Sequence, residues 1–261
     1  MILDPLQYAL GAFSGSLVGF TLGLFGGGGS ILAVPLMVYL VGVPNAHMAI
    51  GTSAFAVAAN AATNLVTHAR HGNVKWRCAG LYSIAGIVGA VLGSTVGKAI
   101  DGQKLLFLFA ILMLVVGTLM FKGRGDVGNP GAECNREKAP KVLGFGALTG
   151  VFSGFFGIGG GFLIVPGLVA STGMPILNAI GSSLVAVAAF GLTTSINYSI
   201  SGLVDWPLAF VFVAGGVLGG LVGAVVARRL ATKKGALSTA FAGLIFVVAI
   251  YMLIKSAQTF M

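Results

Sequence analysis

Residues 23–35 read GLFGGGGSILAVP, and residues 154–166 read GFFGIGGGFLIVP. At an offset of 131, Gly23, Phe25, Gly26, Gly28, Gly29, Leu32, Val34 and Pro35 fall on Gly154, Phe156, Gly157, Gly159, Gly160, Leu163, Val165 and Pro166. The match extends upstream through Gly15 and Gly19 onto Gly146 and Gly150, and downstream through Gly42 and Pro44 onto Gly173 and Pro175. One residue then drops out and the offset becomes 130. Gly51, Ser53, Thr63, Gly72, Val74 and Trp76 now meet Gly181, Ser183, Thr193, Gly202, Val204 and Trp206, and Gly86, Gly89 and Gly93 meet Gly216, Gly219 and Gly223. Chance matching among apolar residues does not pair Gly, Pro and Trp over such a length. The chain reads as two homologous halves, 1–121 and 142–261, joined by a polar stretch at 122–141 whose Gly, Pro and charged residues mark a loop.

Composition sets the solvent. Of 261 residues 57% are hydrophobic and 8% charged, and the mean hydropathy is +1.01, whereas soluble domains carry about 25% charged residues. Apolar runs at 7–24, 29–43, 47–68, 79–97, 104–121, 142–156, 160–173, 176–200, 208–227 and 236–254 leave nothing over for a soluble catalytic domain. The expected fold is all-α, a polytopic transmembrane helix bundle of 8–10 membrane segments embedded in a lipid bilayer. The first run lacks a basic leader and a small-residue cleavage site, and is expected to belong to the mature fold. The net charge of +9 lies in connections between apolar runs, where Lys and Arg set orientation, so nucleic acid is not an expected partner. Cys78 and Cys134 have no metal-binding spacing.

The basic residues also indicate how the halves are related. The loop after the Gly51 segment carries Arg70, Lys75 and Arg77, while its equivalent in the second half carries only Asp205. The next loop is nearly balanced in the first half (Lys98, Asp101, Lys104), and its counterpart holds Arg228, Arg229, Lys233 and Lys234. Equivalent loops with opposite bias lie on opposite sides of a membrane, which predicts inverted repeats. Inversion needs odd parity in each half. As one straight helix, residues 7–43 would run ~55 Å, far beyond a ~30 Å hydrocarbon core. A break at the glycines, giving two short spans or a re-entrant hairpin, restores that parity. The central loop 122–141 is then expected on the basic, cytoplasmic face of an inner membrane.

Two groups of residues could meet a solute. Gly26, Gly27, Gly28, Gly29 and Ser30, with Gly157, Gly159, Gly160 and Gly161, interrupt apolar stretches just before a short helix that begins at Ser30 or Phe162. Glycine there permits a sharp turn and the close approach of either a ligand or another helix. Unsatisfied N–H groups at the start of such a helix suit an anion. The four-residue spacing of Gly15, Gly19 and Gly23 argues for helix packing at those positions. The second group lies on the third segment of each half. It comprises Thr52, Ser53, Asn60, Asn64 and His68, and Ser182, Ser183, Thr194 and Asn197. Asn60, Asn64 and His68 recur every four residues and share one helix face. Every acid (Asp4, Asp101, Asp126, Glu133, Glu137, Asp205) falls outside the apolar runs. That argues against a carboxylate-coupled proton pump or a divalent-metal carrier and favours an anionic or neutral solute. No nucleophile–base pair suggests an enzyme, no cofactor or metal is expected, and oligomeric state is left open.

These duplicated elements resemble the sulfite exporter TauE/SafE family. They are Gly26–Pro35, Gly42–Pro44, Gly51–Ser53 and Gly72–Trp76, with Gly157–Pro166, Gly173–Pro175, Gly181–Ser183 and Gly202–Trp206. The resemblance covers nearly the whole chain and implies an inner-membrane permease for small anions such as sulfite, thiosulfate or organosulfonates. Residues 27 and 30 depart from their counterparts (Gly27 against Ile158, Ser30 against Gly161), so the halves are expected to play unequal roles.

Overall fold

A computed structural model describes residues 4–122, 128–129, 131–132, 134–157, 161–232 and 235–260. Among them the chain is all-helical. In the first half α1 (Pro5–Phe25) is followed by a 3-10 segment (Gly26–Leu32), a single turn α2 (Ala33–Pro35) and a π turn (Leu36–Leu40). Next come α3 (Ala46–Arg70), α4 (Trp76–Lys98) and α5 (Gly102–Lys122). The second half repeats the order with α6 (Ala139–Phe156), the short α7 (Gly161–Thr172), α8 (Ile176–Ile200), α9 (Trp206–Ala231) and α10 (Ala236–Phe260). Among the described residues eight stretches are long and apolar enough to cross a membrane, Pro5–Leu40 being one of them.

Pro5–Leu40 cannot run straight. Its 36 residues would extend ~54 Å as one helix, yet the Gln7 amide donates to the Val41 carbonyl at 3.0 Å. The stretch is a hairpin that returns to the end it left. Its bend is at Gly26, whose φ of +61° is open to glycine and strained for residues with a Cβ. The matched Gly157 has φ +66° and ends α6, and Lys138, just before α6, donates to the Thr172 carbonyl at the end of α7. Both halves therefore begin with a helical hairpin bent at equivalent glycines. The first returning limb starts at Gly26 as a tight 3-10 segment, and α7 starts at Gly161, each slightly earlier than the Ser30 and Phe162 starts expected from the sequence.

The halves interlock through their glycines. Gly15, Gly19 and Gly23 of α1 lie against the backbone of Phe212, Gly216 and Gly220 of α9. In the equivalent pair, Gly146, Gly150 and Gly154 of α6 lie against Tyr82, Gly86 and Ala90 of α4. A methyl at any of these glycines would overlap a backbone carbonyl of the partner helix, so small residues are required for this spacing. Residue numbers rise together in both pairs, so α1 runs parallel to α9 and α6 parallel to α4. Between α3 and α8 they run oppositely: Gly51 meets Leu203, and Asn73, just past the end of α3, meets Gly181. Short turns reverse the chain between α3 and α4, between α4 and α5, and again in the matching turns of the second half. With these directions α1 and α3 point one way, and α6 and α8 the other.

A disulfide joins Cys78, near the start of α4, to Cys134 of the central loop, with a Cα–Cα distance of 5.4 Å. Nothing in the cysteine spacing announced it, because the partners are brought together only by the folding of α4 beside the loop.

Candidate functional site

The two glycine clusters meet. The Gly161 backbone lies directly on the Gly27 carbonyl, with no room for a methyl on Gly161. Gly26 lies against Ile180 and Ser183 of α8, Gly28 against the Phe241 ring of α10, and Gly157 against Ile50 of α3. Ser30 donates from its hydroxyl to the Gly27 carbonyl. The contact is closed, and all five residues from Gly26 to Ser30 are buried. Gly159 and Gly160 lie outside the described residues.

The bend at Gly26 also redistributes hydrogen bonds. In a continuous α-helix the Gly27 N–H would donate to the Gly23 carbonyl. Instead it donates to Ser183 Oγ of the other half at 2.9 Å. The released Gly23 carbonyl lies 3.1 Å from His68 Nε2. A carbonyl only accepts, so His68 Nε2 carries the proton and Nδ1 presents a lone pair. That Nδ1 is buried and has no partner among the described residues. The break thus ties Ser183 of the second half to His68 of the first through a single peptide segment.

His68 continues a polar column. The Asn64 side chain packs against Gly220 and Gly23, and the Asn60 side chain against Gly216. Asn64 Nδ2 donates to the Asn60 carbonyl at 2.9 Å. Asn60 is fully buried, and among the described residues neither its Nδ2 nor its Oδ1 finds a partner. Such unpaired groups are uncommon in a protein interior and cost about 1–3 kcal/mol each. Of the α9 glycines that make room for these side chains, Gly216 registers in the sequence only as a repeat marker and Gly220, matched to Ala90, does not register at all, although their four-residue spacing matches that of the asparagines.

The remaining candidates are dispersed. The Thr52 hydroxyl accepts from the Asp205 N–H, and the Ser182 hydroxyl accepts from the Lys75 N–H, both at 2.9 Å. These are matched positions doing matched work at the entries to α9 and α4. Ser53 donates back to the Ile50 carbonyl. Thr194 is buried with an unpartnered hydroxyl. Asn197 lies at the far end of α8, donating to Ser94 and Thr95 of α4. A crevice of about 530 Å³ between α5, α6 and α7 is lined almost wholly by apolar side chains, Leu112, Phe145 and Leu163 among them, and offers an anion little to bind.

The sulfite exporter TauE/SafE profile matches residues 11–252. The chain belongs to the sulfite exporter TauE/SafE family. It is 52% identical to a "Probable membrane transporter protein" of Xylella fastidiosa (strain 9a5c), over 98% of each chain. It is 29% identical to a protein of the same description from Haemophilus influenzae, over 92% of this chain and 96% of that one. It is 26% identical to "Probable membrane transporter protein YunE" of Bacillus subtilis, over 84% and 88% respectively. No solved structure matches significantly. As a TauE/SafE family member, the chain is a multi-pass membrane protein of a transporter family.

Proposed function

We propose that the protein is a secondary transporter for small anions, of the size and charge of sulfite, thiosulfate or an organosulfonate, working by alternating access between its two halves. The observation that carries this reading is the direct contact of the two glycine bends, Gly27 on Gly161, beside a buried column of neutral polar groups. Irregular backbone inside a membrane protein belongs where it is enclosed by protein or lines a solute path. Asn60 amide groups and backbone N–H groups at helix starts are donors suited to an anion. None of the described spanning helices contributes a carboxylate that would repel one. The closed glycine contact corresponds to an occluded arrangement, and opening to either side would part α7 from the Gly26–Leu32 segment.

The opposed directions of α1 and α6, and of α3 and α8, support an inverted repeat. In that arrangement, among the described residues, Arg70, Lys75, Arg77, Arg136, Lys138, Lys141, Arg228 and Arg229 share one face with the central loop, and Lys98, Lys104 and Lys255 lie on the other. We assign that face to the cytoplasm of an inner membrane. The Cys78–Cys134 disulfide on the same face weighs the other way, since disulfides persist in oxidising compartments. The basic bias is the stronger indicator because it extends over three separate connections.

Uptake into proteoliposomes of sulfite, thiosulfate and sulfoacetate, with and without pH and sodium gradients, tests the function. Saturable uptake of at least one is expected. Uptake of none, or a non-saturating ionic conductance, contradicts the proposal. After reduction, reaction of Cys134 with an impermeant thiol reagent added outside intact cells would reverse the assigned orientation.

A further inference from the structure

Lys98 and Arg228 occupy matched positions, each in the last turn of its helix, α4 and α9 respectively. Each reaches across to the C-terminal end of the long helix of the other half. Lys98 Nζ donates to the Asn197 carbonyl at 3.0 Å, to Asn197 Oδ1 at 2.8 Å and to Ser201 Oγ at 2.9 Å. It also lies 5.9 Å from the centroid of the Tyr198 ring. Asn197 is held in place for this, since its Nδ2 donates to Ser94 and Thr95.

At the opposite end, Arg228 Nη1 meets His71 Nε2, and His71 is the counterpart of Ser201. His71 Nδ1 lies 2.7 Å from the Thr67 carbonyl. That carbonyl only accepts, so Nδ1 carries the proton and Nε2 offers its lone pair to the guanidinium. Among the described residues, neither cation has a carboxylate within ion-pair distance. Each is occupied by neutral acceptors, and both are half-buried.

We infer that Lys98 and Arg228 are the anion-receiving residues of the two mouths, one at each membrane face; this rests on the anion-transport reading above. A charged acceptor bonds a cation about twice as strongly as a neutral one. An arriving anion therefore displaces Asn197 and Ser201 from Lys98, or His71 from Arg228, and loosens the contact of α4 with α8 or of α9 with α3 at that face alone. A partly buried, uncompensated cation at an entrance also raises the local anion concentration.

The test uses the full-length protein reconstituted in a single orientation, with sulfite, thiosulfate and sulfoacetate as probes at low and high ionic strength. Lys98→Gln is expected to raise the half-saturating concentration about tenfold for solute presented at its own face and to leave the other face within about twofold. Arg228→Gln is expected to do the reverse, and Lys98→Arg to remain near the unaltered protein. High salt should shrink both differences. A variant that changes both faces equally, or neither, overturns the inference. If Lys98→Gln fails to assemble, Arg228→Gln and Lys98→Arg still decide it: loss of face-specificity in the first, or loss of uptake in the second, overturns it. Should the unaltered protein move none of the probes, the anion-transport reading fails and this inference fails with it. Uptake by the unaltered protein without sidedness in the variants overturns this inference alone.

Discussion

Helices α3 and α8 are copies of one another, yet they present different faces to the helices they cross. On α3 the face reads Asn60, Asn64 and His68, and at the same positions α8 carries Phe190, Thr194 and Tyr198. The surroundings are alike. Asn60 packs on Gly216 of α9 as Phe190 packs on the matched Gly86 of α4. The difference arises at the bends. In the first half the Gly23 carbonyl is released and approached by His68, whereas in the second the Gly154 carbonyl is satisfied within its own turn by the Gly157 N–H at 3.1 Å. Tyr198, the counterpart of His68, has a hydroxyl with no partner among the described residues. One half has kept a polar column beside its bend, and the other has filled the same space with rings. Duplication supplied the scaffold, and divergence of three side chains on α3 and α8 placed the polar groups.

The strongest challenge to this comparison is to erase it. The triple variant Asn60→Phe, Asn64→Thr, His68→Tyr makes α3 a copy of α8. It is expected to assemble, because the facing glycines leave equivalent space, and to lose about a hundredfold in uptake rate, equivalent to about 2.7 kcal/mol in barrier. Uptake within threefold of the unaltered protein would show that the column is not on the solute path. Ser183→Ala removes the acceptor of the Gly27 N–H, leaving a buried donor unpaired, and should cost about 1–3 kcal/mol in unfolding measured in detergent. A cost near zero would mean that the inter-half bond does not hold the bend.

A smaller effect sharpens the comparison from the side where the halves agree. Thr52→Ala and Ser182→Ala each remove one acceptor from an equivalent backbone N–H, so both should cost about 1 kcal/mol and match within about 0.5 kcal/mol. Unequal costs would mean that the two helix entries are not held alike. Smallest of all is Tyr198→Phe, which removes a hydroxyl with no partner. Its effect on stability should lie within about 0.5 kcal/mol, and a large loss would reveal a partner for that group.

Much of this architecture was legible in the sequence because it is carried by residues with narrow physical roles. The paired glycines at 26 and 157 marked the bends, since only a residue without a Cβ adopts their positive φ easily. The four-residue spacing of Gly15, Gly19 and Gly23 marked a helix contact that the structure places on α9. The Asn60–Asn64–His68 face was visible as a periodicity. What the sequence could not provide was how the faces are distributed between partners. Thr52 and Ser182 read as candidate pathway hydroxyls, and nothing local shows that they accept from the backbone N–H groups of Asp205 and Lys75 on other helices. Lys98 looked like one member of a balanced loop until α8 was seen beneath it. The disulfide depends on a contact between α4 and a loop 56 residues further along the chain, for which no local signal exists.

In the proposed mechanism the solute passes through the polar column of the first half. Labelling of an Asn60→Cys variant by a small thiol reagent tests it directly, since the described residues hold no free cysteine to compete. Solute at saturating concentration is predicted to slow labelling of that residue at least fivefold while leaving a control cysteine at lipid-facing Leu218 unaffected. Undiminished labelling at position 60, in a variant that still transports, would contradict the claim.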